Sequence, residues 1–218
     1  MKLHSYWRSS AAYRVRIALN LKQLHAEQLP LGLRSGEQRA PEYLALNPQG
    51  LVPTLVLEQG VLTQSLAIIE YLEELQPSPP LLPPDAFGRA RVRAMAMVVA
   101  CDIHPLNNLR VLRYLKASLG ASQEAIDEWA RHWIAAGLQS LEVLAQQHTS
   151  DGKHLYGSSI TLADVCLVPQ MYNARRLGCE LTSYPLLVAV AAALESMPAF
   201  VQAAPERQPD ADPARAAG

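Results

Sequence analysis

Residues 76–85 read Gln-Pro-Ser-Pro-Pro-Leu-Leu-Pro-Pro-Asp, five prolines in ten positions. Each proline lacks an amide donor and fixes its φ, so neither a helix nor a central strand can run through this stretch. It reads as an extended connector between two halves of different character. The expected partition is a domain over 1–80, a linker over 81–87, a second domain over 88–212 and a flexible tail over 213–218.

Ahead of the connector, strand-like segments at 3–6, 25–31, 54–58 and 61–63 alternate with helical ones at 11–21, 41–46 and 65–75. Val15, Ile17, Ala18 and Leu21 supply the inward face of the first helix, and Ile68, Ile69, Leu72 and Leu75 that of the third. The order βαβαββα is that of a thioredoxin-like layer. Beyond the connector the pattern is helical, at 89–116, 122–147, 162–177 and 186–197, with Pro105 expected to kink or end the first of these. Residues 205–218 are expected along the surface or fraying. The fold class is therefore α/β followed by all-α.

Half of the 218 residues are apolar, enough for a sizeable core. The formal charge of -1 and pI near 6.6 argue against nucleic acid or an anionic membrane as a partner. The longest apolar run, 186–194, is too short to span a bilayer, and the N-terminus lacks the apolar core of a signal peptide. Cys101, Cys166 and Cys179 form no CxxC pair and read as reduced, mostly buried thiols of a cytoplasmic protein.

Four places carry polar chemistry. Ser9 and Ser10 fall where the first strand gives way to the first helix, where a hydroxyl caps and the free N–H groups favour an anion or thiolate. In Asn47-Pro48-Gln49-Gly50-Leu51-Val52-Pro53, a turn enters a strand through a Val-Pro bond. A cis bond there would turn the Val52 N–H and C=O outward, toward an extended peptide ligand. Gln64-Ser65 opens the third helix, with Ser65 as its expected cap and its N–H groups suited to a carboxylate. Cys101-Asp102-Ile103-His104-Pro105-Leu106-Asn107-Asn108 is polar within an apolar run, and His104 and Asn108 are expected on one helix face. Without a second Cys/His pair, no metal is expected. Thr161-Leu162-Ala163-Asp164 reads as a capping box, which makes Asp164 a folding residue.

These segments, with Arg14-Val15-Arg16-Ile17-Ala18-Leu19, Leu162–Gln170 and the terminal Arg207-Gln208-Pro209-Asp210, resemble zeta-class glutathione transferases from about residue 2 to 212. The Cys101–Arg110 stretch is most similar to the bacterial maleylacetoacetate and maleylpyruvate isomerases. The resemblance implies a cytoplasmic homodimer with glutathione as cofactor. It implies glutathione-dependent cis–trans isomerisation of a maleyl diketo acid in the breakdown of aromatic compounds such as tyrosine. General glutathione conjugation, dehalogenation of α-halo acids and a non-catalytic partner-binding role are the alternatives.

By the same resemblance, Ser9, Ser10 and Arg8 are catalytic, and Gln49, Val52, Pro53, Gln64, Ser65, His104 and Asn108 hold glutathione. Arg8, Arg110 and Arg176 receive a small dicarboxylate substrate. One departure stands out: the family pattern Ser-Ser-Cys-Ser is here Ser9-Ser10-Ala11-Ala12. A mechanism that needs an enzyme thiol at that point is put in doubt, while one carried by bound glutathione is not.

Overall fold

The computed structural model describes residues 1–212, so the expected tail at 213–218 lies outside the described residues. Four strands, β1 (Lys2–Ser5), β2 (Glu27–Pro30), β3 (Thr54–Leu57) and β4 (Gly60–Thr63), form one sheet in the order β2-β1-β3-β4. β1 and β2 are parallel, with Leu3 opposite Gln28, while β1–β3 and β3–β4 are antiparallel. Leu3 and Leu55 face each other at full burial in the middle of the sheet. Helices α1 (Ser10–Leu21), α2 (Pro41–Leu46) and α3 (Ser65–Leu75) complete a thioredoxin-like layer. Ile68, Ile69 and Leu72 are buried as expected, but Leu75 is 50% exposed. It is the last residue of α3, where helical period no longer guarantees a neighbour.

This layer, residues 1–80, forms one compact unit with residues 197–212; the other unit is Leu81–Ser196. Residues 197–212, expected in the second domain, group instead with the first. The cause lies in α9 (Pro198–Ala203), which packs along α1. Asn20 donates to the Ala199 carbonyl at 2.8 Å and Arg16 to that of Ala203 at 3.0 Å.

The second unit is helical. The run expected over 89–116 breaks into α4 (Ala86–Met97), a π-helical turn over Val98–Ile103, a 3-10 turn over His104–Asn107 and α5 (Leu109–Leu119). Pro105 accounts for the break after the π turn, since it cannot donate to the preceding turn. A tertiary contact accompanies the π turn: fully buried Ile103 meets Gly137 of α6 (Gln123–His148) so closely that a Cβ there would lie 2.1 Å from Ile103 Cγ1. α7 (Leu162–Arg176) and α8 (Pro185–Glu195) complete the unit. Asp164 forms the expected capping box and accepts from Leu155 N, Thr161 N and Thr161 Oγ1, each at 2.8 Å. Burial pushes its carboxyl pKa up, and those three donors oppose the rise. Buried Glu142 accepts from the Leu186 and Leu187 amides, at 3.1 and 3.0 Å, and so caps α8 from α6. Among the described residues no helix is long and apolar enough to cross a membrane.

Candidate functional site

The first unit carries Arg8, Ser9, Ser10, Gln49, Val52, Pro53, Gln64 and Ser65. Between β1 and α1 the chain turns sharply, closed by Ser9 N donating to the Tyr6 carbonyl at 2.9 Å. Ser9, not Ser10, is the N-cap of α1, and its Oγ accepts from Ala12 N at 3.2 Å. A hydroxyl that accepts in this way still has its own proton to donate. The neighbouring Ala11 N–H takes no partner among the described residues, so hydroxyl, amide and helix dipole all favour negative charge at this point. Ser10 is buried as the first residue of the helix. The half-buried Arg8 guanidinium lies over the Trp7 ring, 5.3 Å from its centroid.

The 47–53 turn is built from within. Buried Asn47 donates to the Leu51 carbonyl at 2.8 Å and accepts from Gln49 N at 3.1 Å, while the Tyr43 hydroxyl also reaches Leu51 O at 2.6 Å. Burial raises the Tyr43 pKa, and the hydrogen bonds with Thr54 and Asn47 oppose the rise. Gly50, at φ 60, leaves no room for a side chain: a Cβ would stand 2.9 Å from the Gln38 carbonyl. Val52–Pro53 is cis, and the Val52 N–H and C=O take no hydrogen-bond partner among the described residues.

At α3 the expectation for Ser65 needs correcting. The cap is Gln64, at φ 69 and ψ 119, and Ser65 is the first helical residue. A positive φ on a side chain of this size is a strained conformation of the kind found at ligand sites. It leaves α3 without a side-chain cap, so the N–H groups of Ser65, Leu66 and Ala67 find no acceptor among the described residues. The Ser65 hydroxyl is held by buried Arg14, whose Nη1 donates to it at 3.3 Å.

The second unit carries His104, Asn108, Arg110 and Arg176. The broken helix removes the expectation that His104 and Asn108 share one helical face. His104 begins the 3-10 turn, and Asn108 caps α5, its Oδ1 accepting from Arg110 N at 3.1 Å. The Asn108 amide nitrogen keeps its donors, with no partner among the described residues. Arg110 and Arg176 are both exposed, and Arg176 donates to Asn173 Oδ1 at 2.8 Å. Asn173 in turn donates to Asn107 at 3.2 Å, and Trp129 donates to the Leu106 carbonyl at 2.7 Å, so α6 and α7 anchor the polar segment.

Sequence reasoning missed the residues that support these groups. Arg16, 3% exposed, donates to Ser5 Oγ at 3.0 Å, Trp7 O at 2.9 Å and Ala203 O at 3.0 Å. Burial pushes its pKa down to about 10, with Asp210 acting in the opposite direction. Two arginines inside an otherwise apolar helix, Arg14 and Arg16, were the available signal, since a buried cation needs partners. Among the described residues no group of three His, Cys, Asp or Glu side chains is placed to hold a metal ion.

Residues 3–80 match the family model for the glutathione S-transferase N-terminal domain. A probable maleylacetoacetate isomerase of Vibrio cholerae is 52% identical over 211 residues, covering 96% of this chain and 97% of its own. The holo structure of a maleylpyruvate isomerase, a bacterial zeta-class glutathione S-transferase, is 50% identical with a TM-score of 0.95. That match covers 97% of this chain and 100% of the other. A maleylacetoacetate isomerase from Methylobacterium extorquens AM1, solved with bound malonate and glutathione, is 40% identical with a TM-score of 0.93, covering 97% and 100%. The chain belongs to the glutathione S-transferase family and, within it, to the zeta class that holds the maleylacetoacetate and maleylpyruvate isomerases.

Proposed function

We propose that this protein is a glutathione-dependent cis–trans isomerase of a maleyl diketo acid, maleylacetoacetate or maleylpyruvate. The observation that carries the reading is the Ser9 cap: a hydroxyl with a proton to give, beside the open Ala11 N–H at the start of α1. The donor set fits glutathione. The open N–H groups of α3 and the Ser65 hydroxyl suit the γ-glutamyl carboxylate, with Gln64 alongside. The unpaired backbone of Val52, with Pro53 fixing its direction, suits the cysteinyl peptide, and Gln49 lies at the same turn. His104 and Asn108 of the helical unit are further candidates for glutathione contacts.

When bound, glutathione supplies a sulfur nucleophile whose reversible addition makes the substrate double bond a rotatable single bond, and it returns unchanged. The chain's own part is electrostatic. Ser9 donates to sulfur and, with the helix N–H groups, lowers the pKa of the thiol. Ser10, being buried, acts chiefly through its backbone. Arg8 receives a substrate carboxylate and offsets the negative charge that grows on the conjugated carbonyl. Arg110 and Arg176 are the candidates for the second carboxylate.

The protein acts as a cytoplasmic homodimer in this reading; light scattering at twice 23.9 kDa is the expected result, and 23.9 kDa would remove the dimer. Retention on immobilised glutathione, followed by kcat/KM for the two diketo acids, tests the function. Failure to be retained, with neither acid turned over, would reject it.

A further inference from the structure

The terminal segment Arg207-Gln208-Pro209-Asp210 has no part in the chemistry described so far, yet it is built onto the turn that carries Arg8 and Ser9. The Trp7 backbone is held at both ends: its N–H donates to Asp210 Oδ2 at 2.9 Å, and its carbonyl accepts from Arg16 Nη2 at 2.9 Å. Gln208 folds the segment back, donating to the Gln202 and Ala204 carbonyls at 3.0 and 2.9 Å. Asp210 thus arrives from 203 positions along the chain to meet the residue two before the Ser9 cap.

We propose that Asp210 is a positioning residue for thiol activation: by holding the Trp7 N–H it sets the 6–9 turn, and with it the direction of the Ser9 hydroxyl. Three features carry this. Trp7 is 3% exposed, so without Asp210 its N–H would lose a charge-assisted bond in a place with little access to water. β1 ends at Ser5, so Trp7 lies beyond the sheet ladder and its amide has no strand partner. The negative charge of Asp210 also acts on Arg16, the buried cation that ties Ser5, Trp7 and Ala203 together. A hydrogen bond to the thiolate depends steeply on donor direction, so a small rotation of this turn weakens activation more than it weakens glutathione binding.

The inference rests on the proposed function, and its test separates the two. Full-length Asp210→Ala and Asp210→Asn are compared with wild type by the pH titration of the bound thiol, glutathione calorimetry, isomerase kinetics per folded molecule, and amide exchange at residues 6–10. For Asp210→Ala the expected result is a bound-thiol pKa raised by about half a unit or more. kcat should fall about tenfold, and glutathione affinity should stay within about threefold. Exchange at Ser9 and Ser10 should be faster. Asp210→Asn keeps an acceptor and loses the charge, so it should fall between the two; it decides the matter alone if the alanine variant does not fold. A lower melting temperature with unchanged thiol pKa and unchanged kcat per folded molecule would make Asp210 purely structural and overturn the proposal. A wild-type chain that neither binds glutathione nor isomerises would overturn the proposed function, and this inference with it.

Discussion

Gln64 Nε2 donates to Gln49 Oε1 at 2.7 Å, so the strained residue that precedes α3 is tied to the turn that leads into β3. The bond brings two loops fifteen residues apart into one rim. On one side of it stand the open amides of α3, and on the other the unpaired backbone of Val52.

Ser65→Ala should weaken glutathione binding about tenfold in calorimetry, because it removes the hydroxyl at the helix start and leaves Arg14 Nη1 without that acceptor. Unchanged affinity would take Ser65 out of the site.

Ser9→Ala should lower kcat/KM at least about tenfold, which is about 1.4 kcal/mol, and raise the pKa of bound glutathione. Since Ser9 also caps α1, the variant should lose about 1 kcal/mol of stability in denaturant unfolding. Ser10→Ala should be milder in kcat/KM; if it proves the more damaging, the assignment of the activating hydroxyl is wrong.

Gly137→Ala places a methyl carbon 2.1 Å from Ile103 Cγ1 and 2.4 Å from Cδ1. The gain in helix propensity, about 1 kcal/mol, is outweighed because Ile103 is fully buried and has little room to yield. The expected net loss is about 1–2 kcal/mol in denaturant unfolding. Equal or greater stability would mean that the π turn moves without cost.

Much of this fold was legible in the chain. α2 and α3 occupy the expected spans, 41–46 and 65–75, and the proline-rich connector lies between α3 and α4. What escaped was set by contacts distant in sequence. The π turn sits where Ile103 packs against Gly137, and the burial of Arg16 is made possible by carbonyls on both sides of it, one of them Ala203. The grip of Asp210 on Trp7 is invisible to any local pattern. In the candidate site, Ser9 and Ser65 could be placed at helix starts, but the positive φ of Gln64 could not be foreseen, since no glycine marks it.

With alanine at position 11, turnover should need no protein thiol. Against the expectation of mostly buried thiols, Cys101 is exposed and only Cys166 is fully buried; burial pushes the half-buried Cys179 thiol up, with Arg131 opposing. That thiol stays protonated to higher pH than usual, so mass spectrometry should find Cys101 alkylated first and Cys179 only slowly at neutral pH. A variant with all three cysteines replaced by serine should keep the isomerase rate of its folded fraction within about threefold of wild type. A substrate-derived adduct on Cys101, formed at the rate of turnover and lost with activity in Cys101→Ser, would refute this.

In the proposed reaction glutathione takes part without being used up. The direct measurement follows maleylacetoacetate or maleylpyruvate by ultraviolet absorbance at fixed enzyme, while free thiol is titrated in the same samples. The expected result is loss of the cis acid and appearance of its trans isomer, a rate that vanishes without glutathione, and a thiol concentration unchanged over many turnovers. Stoichiometric loss of thiol, with a stable glutathione adduct as product, would make the protein a conjugating transferase and not an isomerase.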